Sequence, residues 1–390
     1  MIKRIVLWTL LVLVVALFLS VIINSFSKGH KLSASTLPEA VNPVGEYAQY
    51  IEDHPNVFPE AVDIELIPED KVSEDFNITY AYDEPALYTS SEGSVTWNFN
   101  VSVAGFYNIL IDYIPEADGG TDIERKILVN GELPYDELSN VSFQRVWIDG
   151  GEKIVDLNGN EIKPIQVEAP ERRLAYVKDQ IGYVTEPYLI YFSVGANSIT
   201  IESVRESMSI FGVHVLSIQQ IRTYEEAKAD YLANNYQPVQ GEITGFDETA
   251  TNPKIEGENA YKRSSPTIYA ISDRSSGYNS PNDPVKVILN SIGGTKWSTP
   301  GDWITWEFEV PESGLYNISM RTRQSTNRGL FSTRKLYIDG EVPFVEAQNL
   351  KFTYASNWNV VTFGSEEEPF YFYLEEGKHE LTLEVTLGDY

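Results

Sequence analysis

The sequence predicts an all-β protein made of two tandem antiparallel β-sandwiches, and three observations predict it. Val95, Trp97, Phe99 and Val101 alternate with Thr96, Asn98 and Asn100, the period-2 pattern of a half-buried strand. Asn130-Gly131 and Asp339-Gly340 sit between apolar runs, where such pairs signal tight hairpins. Finally, the chain is written twice. Trp97-Asn98-Phe99-Asn100-Val101 resembles Trp306-Glu307-Phe308-Glu309-Val310, an offset of 306 − 97 = 209, and the same offset aligns Gly105-Phe106-Tyr107-Asn108-Ile109 with Gly314-Leu315-Tyr316-Asn317-Ile318. Further on, Glu186-Pro187 matches Glu368-Pro369 and Gly195 matches Gly377 at an offset of 182, so copy one carries an insertion of 209 − 182 = 27 residues. So long a period means a duplicated domain, not a solenoid.

Five segments follow in order. Residues 1–30 form a membrane anchor or signal segment. Lys3 and Arg4 precede an apolar run from Ile5 to Ile23, and nineteen residues span about 28 Å, close to a bilayer's hydrocarbon thickness. No clear small-x-small cleavage pattern follows, so an uncleaved anchor is expected over a removed signal. Basic residues before the run place the remainder on the extracytoplasmic face of the cell membrane. Residues 31–61 are a short helical lead-in with Glu46–Ile51. Residues 62–218 hold the first sandwich with its insertion. Residues 219–251 form a helical linker, where Thr223 and Glu226 have capping-box spacing. Residues 252–390 hold the second sandwich. Copy one continues into Ser209–Val215, whereas copy two stops at Tyr390 before any counterpart, so a further domain is expected after it.

Composition narrows the function. The chain has 390 residues, with 29 Lys+Arg against 57 Asp+Glu for a formal charge of −28. Such a surface repels nucleic-acid phosphates, so no nucleic-acid partner is expected. With no cysteine there is no disulfide, thiolate metal site or cysteine nucleophile. His30, His54, His214 and His379 lack metal-motif spacing, and no phosphate-cradling glycine loop occurs. Asp156–Asn160 fails as a calcium loop, since Glu161 stands where Gly is required. No acid stands out as half of a catalytic pair, so enzyme activity is not expected.

Aromatic residues, 12% of the chain, say more. Trp97 and Trp306 fall on the apolar face and are expected in the core. Trp303 has the opposite parity, at the start of its strand. Tyr269, Tyr278, Trp297 and Trp358 lie in turn-rich stretches, with Asp273, Arg274 and Asn279 among them. An exposed ring offers a platform for the C–H face of a sugar while polar neighbours bond its hydroxyls, although loops also pack on their own aromatics. These eight residues form the expected saccharide site. Copy one has Ser94 where copy two has Trp303 (303 − 209 = 94), so it is expected to bind weakly or only to support.

Copy two opens with Lys254-Ile255-Glu256-Gly257-Glu258-Asn259-Ala260, continues through Gly301-Asp302-Trp303-Ile304-Thr305-Trp306, and closes with Glu376-Gly377-Lys378-His379-Glu380-Leu381. This order resembles the galactose-binding-like, jelly-roll β-sandwich superfamily, particularly its carbohydrate-binding modules. The resemblance implies a structural calcium on Glu256 and Glu258, whose i, i+2 spacing in a strand would put both carboxylates on one face. The whole arrangement looks like the N-terminal part of surface-anchored ABC-transporter solute-binding proteins of Gram-positive bacteria. It departs from them by lacking an α/β solute-binding domain, and it implies a transporter permease partner through the region beyond Tyr390. The leading function is a non-catalytic region that captures oligo- or polysaccharides. A structural or adhesive spacer, or a glycan-processing enzyme, are the alternatives.

Overall fold

A computed structural model describes residues 45–72, 75–117, 119–239, 255–277, 279–365 and 368–388. The expected membrane segment, the start of the lead-in, the end of the linker, Tyr278 and Tyr390 lie outside them. Among the described residues no helix is long and apolar enough to cross a membrane. They hold two α-helices, Glu46–Asp53 and Tyr224–Ala233, in an otherwise antiparallel β architecture.

In the first half, strands Arg173–Tyr176, Gly105–Pro115, Met208–Leu216, Glu84–Thr89 and Ile78–Ala81 lie side by side in that order. Asp63–Leu66 also pairs with Met208–Leu216, and Ile190–Phe192 with Gly105–Pro115. A four-stranded sheet of Ser94–Val101, Gly195–Arg205, Ile123–Val129 and Val141–Phe143 faces it. Trp97, Ile127 and Ile199 from one sheet meet Ile111, Tyr113 and Val213 from the other in a single buried core, as period-2 patterning on two facing sheets requires. The second half has its own core around Ile304, Trp306, Leu336, Phe344, Phe363 and Leu383. Its principal sheet runs Lys262–Arg263, Trp303–Val310, Gly377–Thr386, Phe331–Ile338 and Leu350–Thr353. Gly314–Tyr316 pairs with Phe372–Leu374, and Ser319–Thr322 with Asn359–Thr362. Among the described residues no strand occupies the place beside Ser319–Thr322 that Met208–Leu216 takes in the first half.

The same polar contacts recur in both halves. Trp97 Nε1 donates to Ile67 O and Trp306 Nε1 to Gly257 O, each at 2.9 Å. Thr96 meets Thr200 through their hydroxyls at 2.8 Å, and Thr305 meets Thr382 at 2.6 Å. Tyr107 and Tyr316 each donate their hydroxyls at 2.6 Å to the carbonyl four residues back. The hairpin turns match as well: φ is 53° at Asn130 and 82° at Gly131, against 52° at Asp339 and 83° at Gly340. A two-residue turn of this hand demands positive φ at both positions, which is why the sequence spends Asn-Gly and Asp-Gly there.

The helices are more than punctuation between sandwiches. Both are anchored by a buried tyrosine whose hydroxyl accepts the N–H of the residue just before a strand, Ile190–Phe192 in the first half and Phe372–Leu374 in the second. Leu189 N donates to Tyr47 at 3.0 Å, and Tyr371 N to Tyr224 at 2.9 Å, residues related by 371 − 189 = 182. The second helix carries both bonds of its capping box between Thr223 and Glu226, as the spacing predicts.

The halves are also welded together. Two strands from the insertion-bearing segment of the first half, Gln166–Glu168 and Trp147–Asp149, extend the second half's principal sheet by pairing through Arg263. Arg263 is fully buried, and its guanidinium donates to Asp149 Oδ1 and Gln166 Oε1 at 2.7 Å each and to Ala260 O at 2.9 Å. Lys178 bonds Glu384 across the same joint at 2.8 Å, with Tyr337 on the carboxylate's other oxygen. Burial alone would raise the Glu384 carboxyl, but the charge and bond of Lys178 and the Tyr337 hydroxyl hold it below its usual value.

If the tyrosine anchors hold the helices, Tyr47→Phe and Tyr224→Phe leave a backbone N–H without its acceptor. Each should lower unfolding free energy by about 1–3 kcal/mol in denaturant titration. A change near zero in both would show that the helices are held by packing alone.

Candidate functional site

The eight residues expected to hold a saccharide fall into separate places. Trp303 is not a loop platform. It lies inside the strand Trp303–Val310, is 5% exposed, and donates from Nε1 to Gln144 Oε1 of the first half at 2.7 Å. Arg173 sits 4.7 Å over its ring. Its parity opposite to Trp306 means that it covers the sheet's outer face, and the first half covers it in turn. Trp297 is half-buried, packs edge-on against Trp306 at 6.3 Å, and carries the Arg334 guanidinium 4.2 Å over its ring. Burial pushes that guanidinium down to about 10, and its Nη2 donates to Trp297 O at 3.0 Å. Tyr269 lies beneath Lys163 of the first half at 3.6 Å. Arg274 staples the loop by donating to the carbonyls of Val285, at 2.9 Å, and Lys286. Tyr278 is outside the described residues.

The remaining three do meet. The loop from 272 to 290 is rich in Ser, Asn, Asp and Pro, residues that satisfy backbone groups by side-chain bonds where no ladder forms. Asp273 is its hub. Its Oδ1 accepts Ser275 N at 2.6 Å, while its backbone O accepts Asn279 Nδ2 at 2.9 Å and Asn290 Nδ2 at 3.0 Å. Its Oδ2 accepts Trp358 Nε1 at 3.0 Å and pairs with Arg323 Nη1 at 2.9 Å. Burial would raise this carboxyl, but the Ser275 and Trp358 bonds and the Arg323 charge outweigh it and hold it below its ordinary value of 3.8.

Two arginines complete the cluster, and neither was expected from sequence. Arg321 belongs to the strand Ser319–Thr322, and Arg323 follows two residues later on the same side. Arg321 faces Val360 in register, and Trp358 enters two residues before that strand position. The guanidinium groups of Arg323 and Arg321 accordingly lie 5.2 and 6.0 Å over the Trp358 ring. Arg321 Nη2 reaches Asn279 Oδ1 at 3.4 Å. Their available signal was Met320-Arg321-Thr322-Arg323, basic residues at alternating positions in a chain with twice as many acids as bases. The result is a half-buried indole pinned at its N–H, with guanidinium and amide donors beside its face.

Glu256 and Glu258 lie in a turn, not a strand, because Asn259 N closes onto Glu256 O at 2.9 Å. Glu258 is 2% exposed and its Oε2 has no hydrogen-bond partner. Burial first, then the neighbouring charges of Glu256 and Glu161, push its carboxyl up to about 7, against the opposing effects of a bond to its own backbone N–H and of the Lys153 charge. Glu256 accepts Ser280 Oγ at 3.1 Å, which ties this pair to the loop carrying Asn279. Among the described residues no group of three or more acids and histidines is placed to hold a metal.

A cavity of about 380 Å³ opens beside the helix Tyr224–Ala233, where Tyr236 stacks on Tyr373 at 3.8 Å. Two of its acids are already engaged, Asp230 by Arg222 and Asp339 by His379, and it holds no tryptophan, so it offers less than the Trp358 cluster.

No family model matches the chain, and no curated protein does. Among solved structures, it is similar to a family 35 carbohydrate-binding module from Clostridium thermocellum, at 13% identity and TM-score 0.27, over 40% of this chain and all of that one. It is similar to the CBM35 from Paenibacillus barcinonensis at 12% identity and TM-score 0.24, over 40% of this chain and 100% of the other. An exo-beta-1,3-galactanase from Phanerochaete chrysosporium matches at 17% identity and TM-score 0.24, over 40% of this chain and 29% of the enzyme.

The two tryptophans separate structure from recognition. Trp303→Ala should destabilise the fold by about 3–5 kcal/mol in thermal or denaturant unfolding. Trp358→Ala should cost less than about 2 kcal/mol, since its ring is only half-buried. The reverse order would move the exposed platform back to Trp303.

Proposed function

We propose that this is a non-catalytic carbohydrate-binding protein whose site is the Trp358 cluster. The observation that carries this reading is the indole of Trp358, fixed by its bond to Asp273 with Arg321 and Arg323 over its ring. Such a ring offers an apolar face to the C–H side of a sugar, while the arginines bring guanidinium groups to its rim and buried Asn279 ties Arg321 to the loop. A ring already fixed loses little freedom on binding. The cluster's carboxylate argues against catalysis: Asp273 is occupied on both oxygens and held in its charged form, so it serves as neither acid nor nucleophile. The Ile5–Ile23 run favours capture at the extracytoplasmic face of a membrane, and the finer role we assign is glycan capture for a transport system.

The turn at Glu256 and Glu258 fits a hard divalent cation such as calcium, because a buried carboxylate oxygen without a partner beside a second carboxylate is what such an ion satisfies. Calcium would be held by these two residues and would neutralise their mutual repulsion.

Neutral oligosaccharides titrated into the full chain should bind with modest affinity, and Trp358→Ala should weaken binding by about fivefold or more, with Trp297→Ala producing no comparable loss in a protein that stays folded. Equal affinities in wild type and Trp358→Ala would overturn the site. Because Asp273 is depressed in the folded state, the cluster should hold from neutrality to about pH 4 and be lost as pH falls below 3.8, with affinity following.

Glu258 has the opposite sign. Its folded carboxyl binds a proton more tightly than the unfolded one, so stability should fall as pH rises from 4.5 through about 7. Calcium should remove that loss and raise the Tm most above pH 7. A Tm indifferent to calcium and chelator at pH 8 would exclude the ion.

A further inference from the structure

We infer that the first half carries a second saccharide-binding site, on the outer face of its seven-stranded sheet around Arg172, Tyr82 and Tyr88. The inference rests on the carbohydrate reading of the Trp358 cluster and begins from the duplication. Arg321 corresponds to Asp112 (321 − 112 = 209). Arg321 faces Val360 in register, and Asp112 faces Leu174. Trp358 lies two residues before Val360, and Arg172 lies two residues before Leu174. The two clusters therefore occupy one station on corresponding sheets.

At that station the first half has exchanged the parts. Arg172 donates from Nε to Asp112 Oδ1 at 2.9 Å, from Nη2 to Asp112 Oδ2 at 2.7 Å, and from Nη1 to Glu84 Oε2 at 2.6 Å. The guanidinium lies 4.0 Å over the ring of Phe211. Tyr82 packs near Phe211 at 6.4 Å and 32°, and remains 62% exposed. Tyr88 stands on the outer face, since Leu87 and Thr89 on either side of it are buried in the core direction.

The backbone under Tyr82 supports the assignment. The turn Tyr82-Asp83 has φ of 52° and 62°, the same geometry that Asn130-Gly131 and Asp339-Gly340 serve elsewhere in the chain. A tyrosine in the left-handed region is strained, and strain of this kind is retained where it positions a functional group. Here it holds an aromatic ring out from the hairpin beside the Arg172 fork.

The chemistry selects the occupant. Besides Leu174, which is 63% exposed where it faces Asp112, the exposed apolar side chains of the site are the rings of Tyr82 and Tyr88, and an aromatic ring suits the C–H face of a sugar. Arg172 is already neutralised by two carboxylates, and the chain carries −28, so an anionic polymer is repelled. What is left is acceptor oxygen on Glu84 and tyrosine hydroxyls, the complement of a neutral sugar's rim. The expectation that this half only supports came from its lacking a partner for Trp303, and Trp303 is a residue of the joint.

The test is calorimetric titration of the full chain with neutral 1,4-linked gluco-, xylo-, manno- and galacto-hexaoses. Wild type should show two sites. Trp358→Ala should leave one, and Tyr82→Asn with Tyr88→Ser should leave the other, weakening its own site at least about fivefold. Asparagine is chosen because it tolerates the left-handed backbone, and Arg172→Lys supplies a second variant that keeps the charge but loses the fork. A single site abolished by Trp358→Ala overturns this inference and leaves the proposed function standing. No binding of any of the four overturns both, and a half that takes oligolysine but no saccharide overturns this one.

Discussion

Arg263 is the residue on which the arrangement depends. A guanidinium with no exposure to water needs acceptors inside the protein; Nη1 and Nη2 of Arg263 find them while its Nε has none, and two of the partners, Asp149 and Gln166, come from the other half of the chain. Removing those partners would take away the carboxylate that pairs the buried charge and leave it only backbone carbonyls, which favours keeping the strands that carry them on the second half's sheet. Gln144 then fixes Trp303, Lys178 meets Glu384, and Lys262 bonds both Glu171 and Glu380. A duplicated pair that could have been two beads on a string is one compact unit over this joint. Both candidate sugar sites are thereby held at fixed separation, a geometry that favours simultaneous engagement of one polymer.

Much of the strand content was legible because it obeys local rules. Period-2 alternation placed Trp97 and Trp306 in their cores, and Asn-Gly and Asp-Gly placed the hairpins at the left-handed positions they require. The capping box at Thr223 was equally readable. These features depend on neighbours within a few residues, or on a core that any sandwich must have.

The joint and the site depend on contacts between distant residues, and there sequence reading failed in instructive ways. Trp303 has the parity of a solvent-facing residue, which it would be if the halves were apart. Only the apposition of Gln144 and Arg173, more than a hundred positions earlier, makes it buried. Conversely, Trp358 gained its meaning from Asp273, 85 residues away, and from an arginine pair whose strand carried no obvious motif. Glu256 and Glu258 were read as strand neighbours on one face, but the chain turns between them and buries one alone. Divergence within the duplication explains why the second station was missed: the two halves keep the same scaffold bonds and exchange the exposed side chains.

Recognition is assigned to the Trp358 indole, and structural roles to Trp97, Trp303 and Trp306. This assignment is tested most directly by following the indole N–H resonances of the seven tryptophans in a ¹H–¹⁵N spectrum during titration with a neutral oligosaccharide. The Trp358 resonance, whose N–H is bonded to Asp273, should move with saturation while those of Trp97, Trp303 and Trp306 stay in place. A Trp358 resonance that stays still while a ligand binds, or a shift confined to Trp303, would contradict it.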